Sequence, residues 1–183
     1  MSDKISVRIS YTIPEDVSRD DGALPPVSES LARFLQTNSI ALEHPVVGLG
    51  GADRGEGQGN GVNNDVPFSF TFPKLNSITR ATLTLDLKPK DPEVTTDGLL
   101  FTDNWETDPT VADKFYGNDI LAVLPVDNET VVSFDLTNIN LKGGGNEDLS
   151  DLLLDGNLDV LYRDDALIYA ATLDIEGSAA APT

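Results

Sequence analysis

SITRATLTLDLKP, residues 77–89, alternates apolar and polar side chains almost without exception. Ala81, Leu83, Leu85 and Leu87 share one side, and Arg80, Thr82, Thr84, Asp86 and Lys88 share the other. Successive side chains of an extended chain point to opposite faces, so this spacing predicts a strand with one face buried and one wet. Its threonines suit a pleated surface. The same reading extends outward in both directions. VPFSFTFP (66–73) puts Phe68, Phe70 and Phe72 on one face, and DKISVRISYTIP (3–14) does so with Ile5, Val7, Ile9, Tyr11 and Ile13, ended by Pro14. GLLF (98–101), DILAVLPV (119–126) and TVVSFDL (130–136) continue the series between turn-rich segments.

The chain closes on NLDVLYR (157–163), an acidic turn, and ALIYAATLDIEG (166–177), where Leu167, Tyr169, Ala171, Leu173 and Ile175 alternate. Two short helices are expected. In PPVSESLARFLQTN (25–38), Leu31, Phe34 and Leu35 share a face, and Ser28 or Ser30 supplies the cap. In NEDLSDLLLDG (146–156), Asn146 caps, Glu147 and Asp148 favour the positive end, and Gly156 terminates. Many strands, two short helices and no βαβ rhythm predict an all-β fold, an antiparallel β-sandwich of jelly-roll type. The expected organisation is one domain in four stretches. They are an N-terminal strand and helix (1–45), a Gly-rich loop or arm (46–65), the sandwich body (66–177) and a tail (178–183).

The Gly-rich arm holds seven glycines between Gly48 and Gly61. A phosphate loop needs Lys-Ser/Thr after its last glycine, and a dinucleotide site needs G-x-G-x-x-G before a long helix; neither is present. A calcium-binding nonapeptide register is also missing, which leaves a tether or an arm that docks on a neighbouring subunit. Cysteine is absent, so thiol nucleophiles and Cys-ligated metals are excluded. His44 is the sole histidine, and no G-x-S-x-G accompanies it. Carboxylate pairs are frequent, but 31 acids supply many by chance, and a non-catalytic protein is expected.

The 31 acids stand against 12 basic residues, giving a net charge of −19. Such a surface repels nucleic-acid backbones and attracts cations. Ca²⁺ is the expected ion, through oxygen donors in three loops. These are Asp103, Asn104, Glu106 and Asp108; Asn118 and Asp119; and Asp127, Asn128 and Glu129. Trp105, Phe115 and Tyr116 lie in the same region, and exposed aromatic faces of this kind stack on sugar rings, which makes glycans the alternative partner. No apolar run is long enough for a membrane-spanning helix. The opening MSDKISVRIS lacks the apolar stretch of a signal peptide, which predicts either another route or a start already trimmed.

ITRATLTLDL (78–87), FDLTNI (134–139) and the run DLSDLLLDGNLDVLYRDDALIYAATLDIEG (148–177) resemble β-sandwich domains of secreted bacterial proteins, including those with PEP-CTERM sorting tails. That resemblance spans about Phe68 to Gly177 and implies binding or structural roles outside the cell rather than catalysis. The expected function is a structural subunit of a cell surface, filament or virion. It would self-assemble with its own copies through the N-terminal strand and Ca²⁺.

Overall fold

The computed structural model describes residues 4–12, 27–37, 52–53, 64–89, 98–101, 128–141, 145–164 and 166–179. Ten strands, one α-helix and one 3-10 helix are found there, and every strand pairing is antiparallel. The first four-stranded sheet, sheet A, contains β1 (Lys4–Thr12), β10 (Ala166–Ala179), β4 (Leu75–Pro89) and β6 (Thr130–Asp135), in that spatial order. Sheet B contains β2 (Ala52–Asp53), β3 (Asn64–Thr71), β9 (Asn157–Asp164) and β5 (Gly98–Phe101), also in spatial order. A small hairpin joins β7 (Ile139–Leu141) to β8 (Gly145–Glu147).

The period-2 pattern fixes which face is buried. From sheet A, Ala81, Leu83, Leu85, Leu87, Val132, Phe134, Ala171, Leu173 and Ile175 enter a single apolar cluster. Phe68, Phe70, Phe101, Leu158, Val160 and Tyr162 of sheet B join the same cluster. Each such side chain taken from water contributes about 1.5–3 kcal/mol, so this shared core dominates the favourable side of folding. Phe68 and Phe70 meet edge to face at 5.8 Å between ring centroids. Tyr11 links the sheets directly: its ring stacks on Phe70 at 5.2 Å, and its hydroxyl donates to the Ser69 carbonyl at 3.0 Å.

Three register steps against β4 shape β10. Its register against β4 steps between Ile168 and Ala170, so Tyr169 is an extra residue, a β-bulge. The bulge reverses the face upstream of Ala171. Ile168 is buried, where strict alternation assigns Leu167 and Tyr169 inward, and Tyr169 is half-buried. On β4 the extra residues are Thr79 and Asn76, whose side chains donate to the Glu176 and Ala179 carbonyls. Gly177 lies between these two steps, and a Cβ there would overlap the Ser77 carbonyl oxygen.

The second expected helix is replaced by shorter structure. Asn146 lies in β8, and a 3-10 helix covers Ser150–Leu153 with Leu149 at its N-cap position and no side-chain cap. The local turn is built by Asp148 instead, whose Oδ1 accepts the Ser150 N–H at 2.8 Å and the Ser150 hydroxyl. Those two bonds, hydroxyl first, hold the Asp148 carboxyl below the usual carboxylate range. The ends of the segment are tied to neighbouring backbone. The Leu149 N–H is committed to the Leu136 carbonyl, and the Leu154 and Gly156 carbonyls accept from Leu75 and Phe72. Gly156 ends the segment as the sequence predicts, at φ 89°, with Phe72 backbone where a side chain would go.

Within the Gly-rich stretch, Ala52 and Asp53 form β2 and pair with Asp65 and Asn64. That part of the stretch is therefore an edge of sheet B rather than slack chain.

Candidate functional site

Helix α1 (Glu29–Thr37) starts where Ser28 caps it, its Oγ accepting the Leu31 N–H at 3.1 Å. A Glu29–Arg33 ion pair at 2.6 Å spans the first turn on the exposed side. The cap is also the centre of a polar cluster. The Ser28 N–H donates to Ser69 Oγ at 2.8 Å, and the Ser28 hydroxyl donates to Asp159 Oδ2 at 2.6 Å. Ser30 donates to the same oxygen at 3.2 Å, and Ser69 donates to Asp159 Oδ1 at 2.5 Å. Asp159 is only 5% exposed and Ser69 2%, and they face each other across the β3–β9 pair.

A carboxylate in so dry a place needs partners, and three hydroxyls supply them. Ser28 and Ser69 each donate to Asp159 and accept a backbone N–H, so every proton in this part of the network is placed. Chemically the cluster is a clasp. It pins the start of α1 to the side of sheet B opposite the central core, the side on which Leu161 of β9 is also buried. Nucleophilic chemistry would need a base that frees a serine proton and then releases it. Here the Asp159 carboxyl accepts three such protons at once and is largely buried.

Neither Ser69 nor Asp159 stands out in the sequence, because both simply alternate with apolar residues. One signal was available: Leu161, on the same side of β9 as Asp159, is apolar where a wet face would be polar.

Sheet A has a different outer surface. Its rows run straight across the four strands, as Ser10–Thr172–Thr84–Ser133 and Arg8–Asp174–Thr82–Asp135. Ser10 and Thr172 are hydrogen-bonded at 2.9 Å, as are Thr84 and Ser133, and Arg8 reaches Asp174 at 3.7 Å. The next row sets Asp86 against Val131, and Asp86 Oδ1 is a buried atom without a hydrogen-bond partner. At the far edge, Val131 is 63% exposed and is the large apolar residue most open to water among the described residues.

Of the expected calcium donors, Asn128 and Glu129 are described, both exposed just ahead of β6. Asp103, Asn104, Glu106, Asp108, Asn118, Asp119 and Asp127 lie outside the described residues. So do Trp105, Phe115 and Tyr116, the expected strand 119–126, and His44. Among the described residues, no three His, Cys, Asp or Glu side chains gather as metal ligands. No described helix is long and apolar enough to cross a membrane.

Comparison with protein-family models, curated proteins and solved structures gave no match. The functional reading therefore rests on the chain's own geometry.

Proposed function

We propose that this chain is a non-catalytic structural subunit that self-assembles through its N-terminal strand, outside the cell, on a cell surface or in a virion. The observation that carries the reading is the character of β1. It pairs along its whole length with β10 on one side, and no described strand covers its other side. An uncovered strand edge is a template for another chain. β1 holds Lys4 and Arg8 and no acid, in a protein of net charge −19. Basic residues on an edge suppress indiscriminate pairing. In an acidic protein they also steer the edge towards acidic surfaces, including those of its own copies.

The architecture suits the role. Sheet A runs β1-β10-β4-β6 and sheet B runs β2-β3-β9-β5, with the first and last strands paired. That order among the described strands supports the jelly-roll sandwich reading. The likeness to secreted bacterial sandwich domains, including PEP-CTERM-type proteins, belongs to the same proposal. So does Ca²⁺ held by the acidic loops, which would also screen repulsion between copies.

Native mass measured over a range of protein concentrations, with Ca²⁺ and with chelator, tests the reading. The expected result is concentration-dependent oligomers that Ca²⁺ favours. A strict monomer in every condition, with no filaments by negative stain, overturns it.

A further inference from the structure

We propose that the two edges of sheet A, which no described strand covers, recognise each other, so that β1 of one copy pairs antiparallel with β6 of the next and the sheet continues from molecule to molecule. The inference rests on the assembly reading above and names its contact.

Direction comes first. β4 is antiparallel to both β10 and β6, and β10 is antiparallel to β1. Thus β1 and β4 run one way and β10 and β6 the other. Because the sheet has an even number of strands, a copy moved sideways without being turned over brings its β1 beside β6 in the antiparallel sense. A copy related in this way makes a head-to-tail contact that does not close on itself, and strand twist turns the repeat into a helical filament.

Register and chemistry then agree. Each row of sheet A can be followed from β6 through β4 and β10 to β1, and continuing it into the next copy pairs the β6 residue with the corresponding β1 residue. Asp135 then meets Arg8, Phe134 meets Ile9, Ser133 meets Ser10 and Val132 meets Tyr11. On the core side the matches are apolar with apolar. On the outer side they are acid with base and hydroxyl with hydroxyl, the same kinds of neighbour that sheet A already uses within itself. Shifting the register by one residue would set Phe134 and Val132 against the polar face of β1, and a shift by two would part Asp135 from Arg8, so this alignment is favoured.

The two edges are also available. The Arg8 side chain is 71% exposed. Asp135 Oδ1 accepts from Thr137, which leaves Oδ2 for a guanidinium. β6 is uncharged from Thr130 to Phe134 and carries exposed Val131, so it lacks the lysine or proline guards that blunt most edges.

The absence of native cysteine makes a covalent test clean. Ser10 and Ser133 stand at opposite edges of one sheet, three strand spacings or about 14 Å apart. A disulfide cannot span that distance within a molecule. Full-length protein carrying Ser10→Cys and Ser133→Cys is oxidised and run on a denaturing gel without reductant. A ladder of covalent multimers is expected, with each single variant stopping at dimers or below. The companion pair Ser10→Cys with Thr172→Cys should lock β1 inside its own molecule and give a monomer band.

A ladder from the companion pair, with none from Ser10/Ser133, overturns edge pairing in favour of strand exchange onto a neighbour's β10. No ladder from Ser10/Ser133 in protein whose native mass is oligomeric also overturns it, while leaving the assembly reading intact. As an independent measure, Arg8→Asp should raise the concentration needed for assembly about tenfold or more. Adding Asp135→Arg should restore it, and failure of that rescue in a folded double variant counts against the pairing.

Discussion

Ser69 and Thr84 occupy equivalent places in the sequence, one between Phe68 and Phe70 and the other between Leu83 and Leu85. In the structure they have different fates. Ser69 is buried beneath the start of α1, in a network that leaves Asp159 no unpaired oxygen. Thr84 remains on the half-exposed outer face of sheet A, bonded to Ser133. Alternation tells which residues turn away from the core, and it is silent on whether anything covers them. Where a helix arrives, the polar face needs an inner set of mutual partners; where none does, water or another molecule can serve.

The sharpest way to break this contrast is Asp159→Ala. Three hydroxyls would lose their acceptor, that of Ser69 in a buried place, and the expected loss is about 2–4 kcal/mol. For a chain of this size that lowers the thermal midpoint by roughly 5–15 °C, measurable by circular dichroism. Thr84→Ala on the open face should move it hardly at all. Equal effects at the two sites would refute the division into a clasped face and an open one.

A smaller effect is expected where backbone, rather than side chains, fills the space. Gly177→Ala would push a methyl group onto the Ser77 carbonyl, and Gly156→Ala would place a side chain at positive φ against Phe72. Each should cost about 1–3 kcal/mol by denaturant titration. Wild-type stability in the Gly177 variant would mean that the register steps at Asn76 and Thr79 are absent in solution.

The smallest effect concerns the link between the sheets. Burial raises the Tyr11 pKa above its ordinary value of about 10. The folded form therefore holds this proton more tightly than the unfolded chain. Its contribution is complete below pH ~10 and declines as pH rises from there through the folded value. Tyr11→Phe loses the bond to Ser69 at a cost of about 0.5–1.5 kcal/mol, and should flatten that alkaline decline in a melting series. An unchanged slope would show that the tyrosine does not join the sheets.

Much of the architecture was legible from period alone. The inward sets of β1, β3 and β4 follow directly from the sequence, as does the Gly156 stop, and the sequence narrows the cap to Ser28 or Ser30. The failures share a cause, because each depends on a partner distant in the chain. The Tyr169 bulge exists relative to β4, and the segment around the 3-10 helix is held at its ends by backbone bonds to Leu136, Leu75 and Phe72. Asp159 is a buried acceptor only because α1, more than a hundred residues earlier, settles over it. The calcium and glycan residues were chosen by composition within loops, and apart from Asn128 and Glu129 they lie outside the described residues.

The pairing of the first strand with the last has a consequence for biosynthesis. Ser10 waits for Thr172, 162 positions later, and β10 lies between β1 and β4. Sheet A therefore cannot close until its last strand has been made, and two apolar strand faces stand open until that strand arrives. Contacts so distant in sequence slow folding and prolong exposure to sticky encounters. The acidic surface that opposes casual association is of greatest use to the nascent chain during that interval.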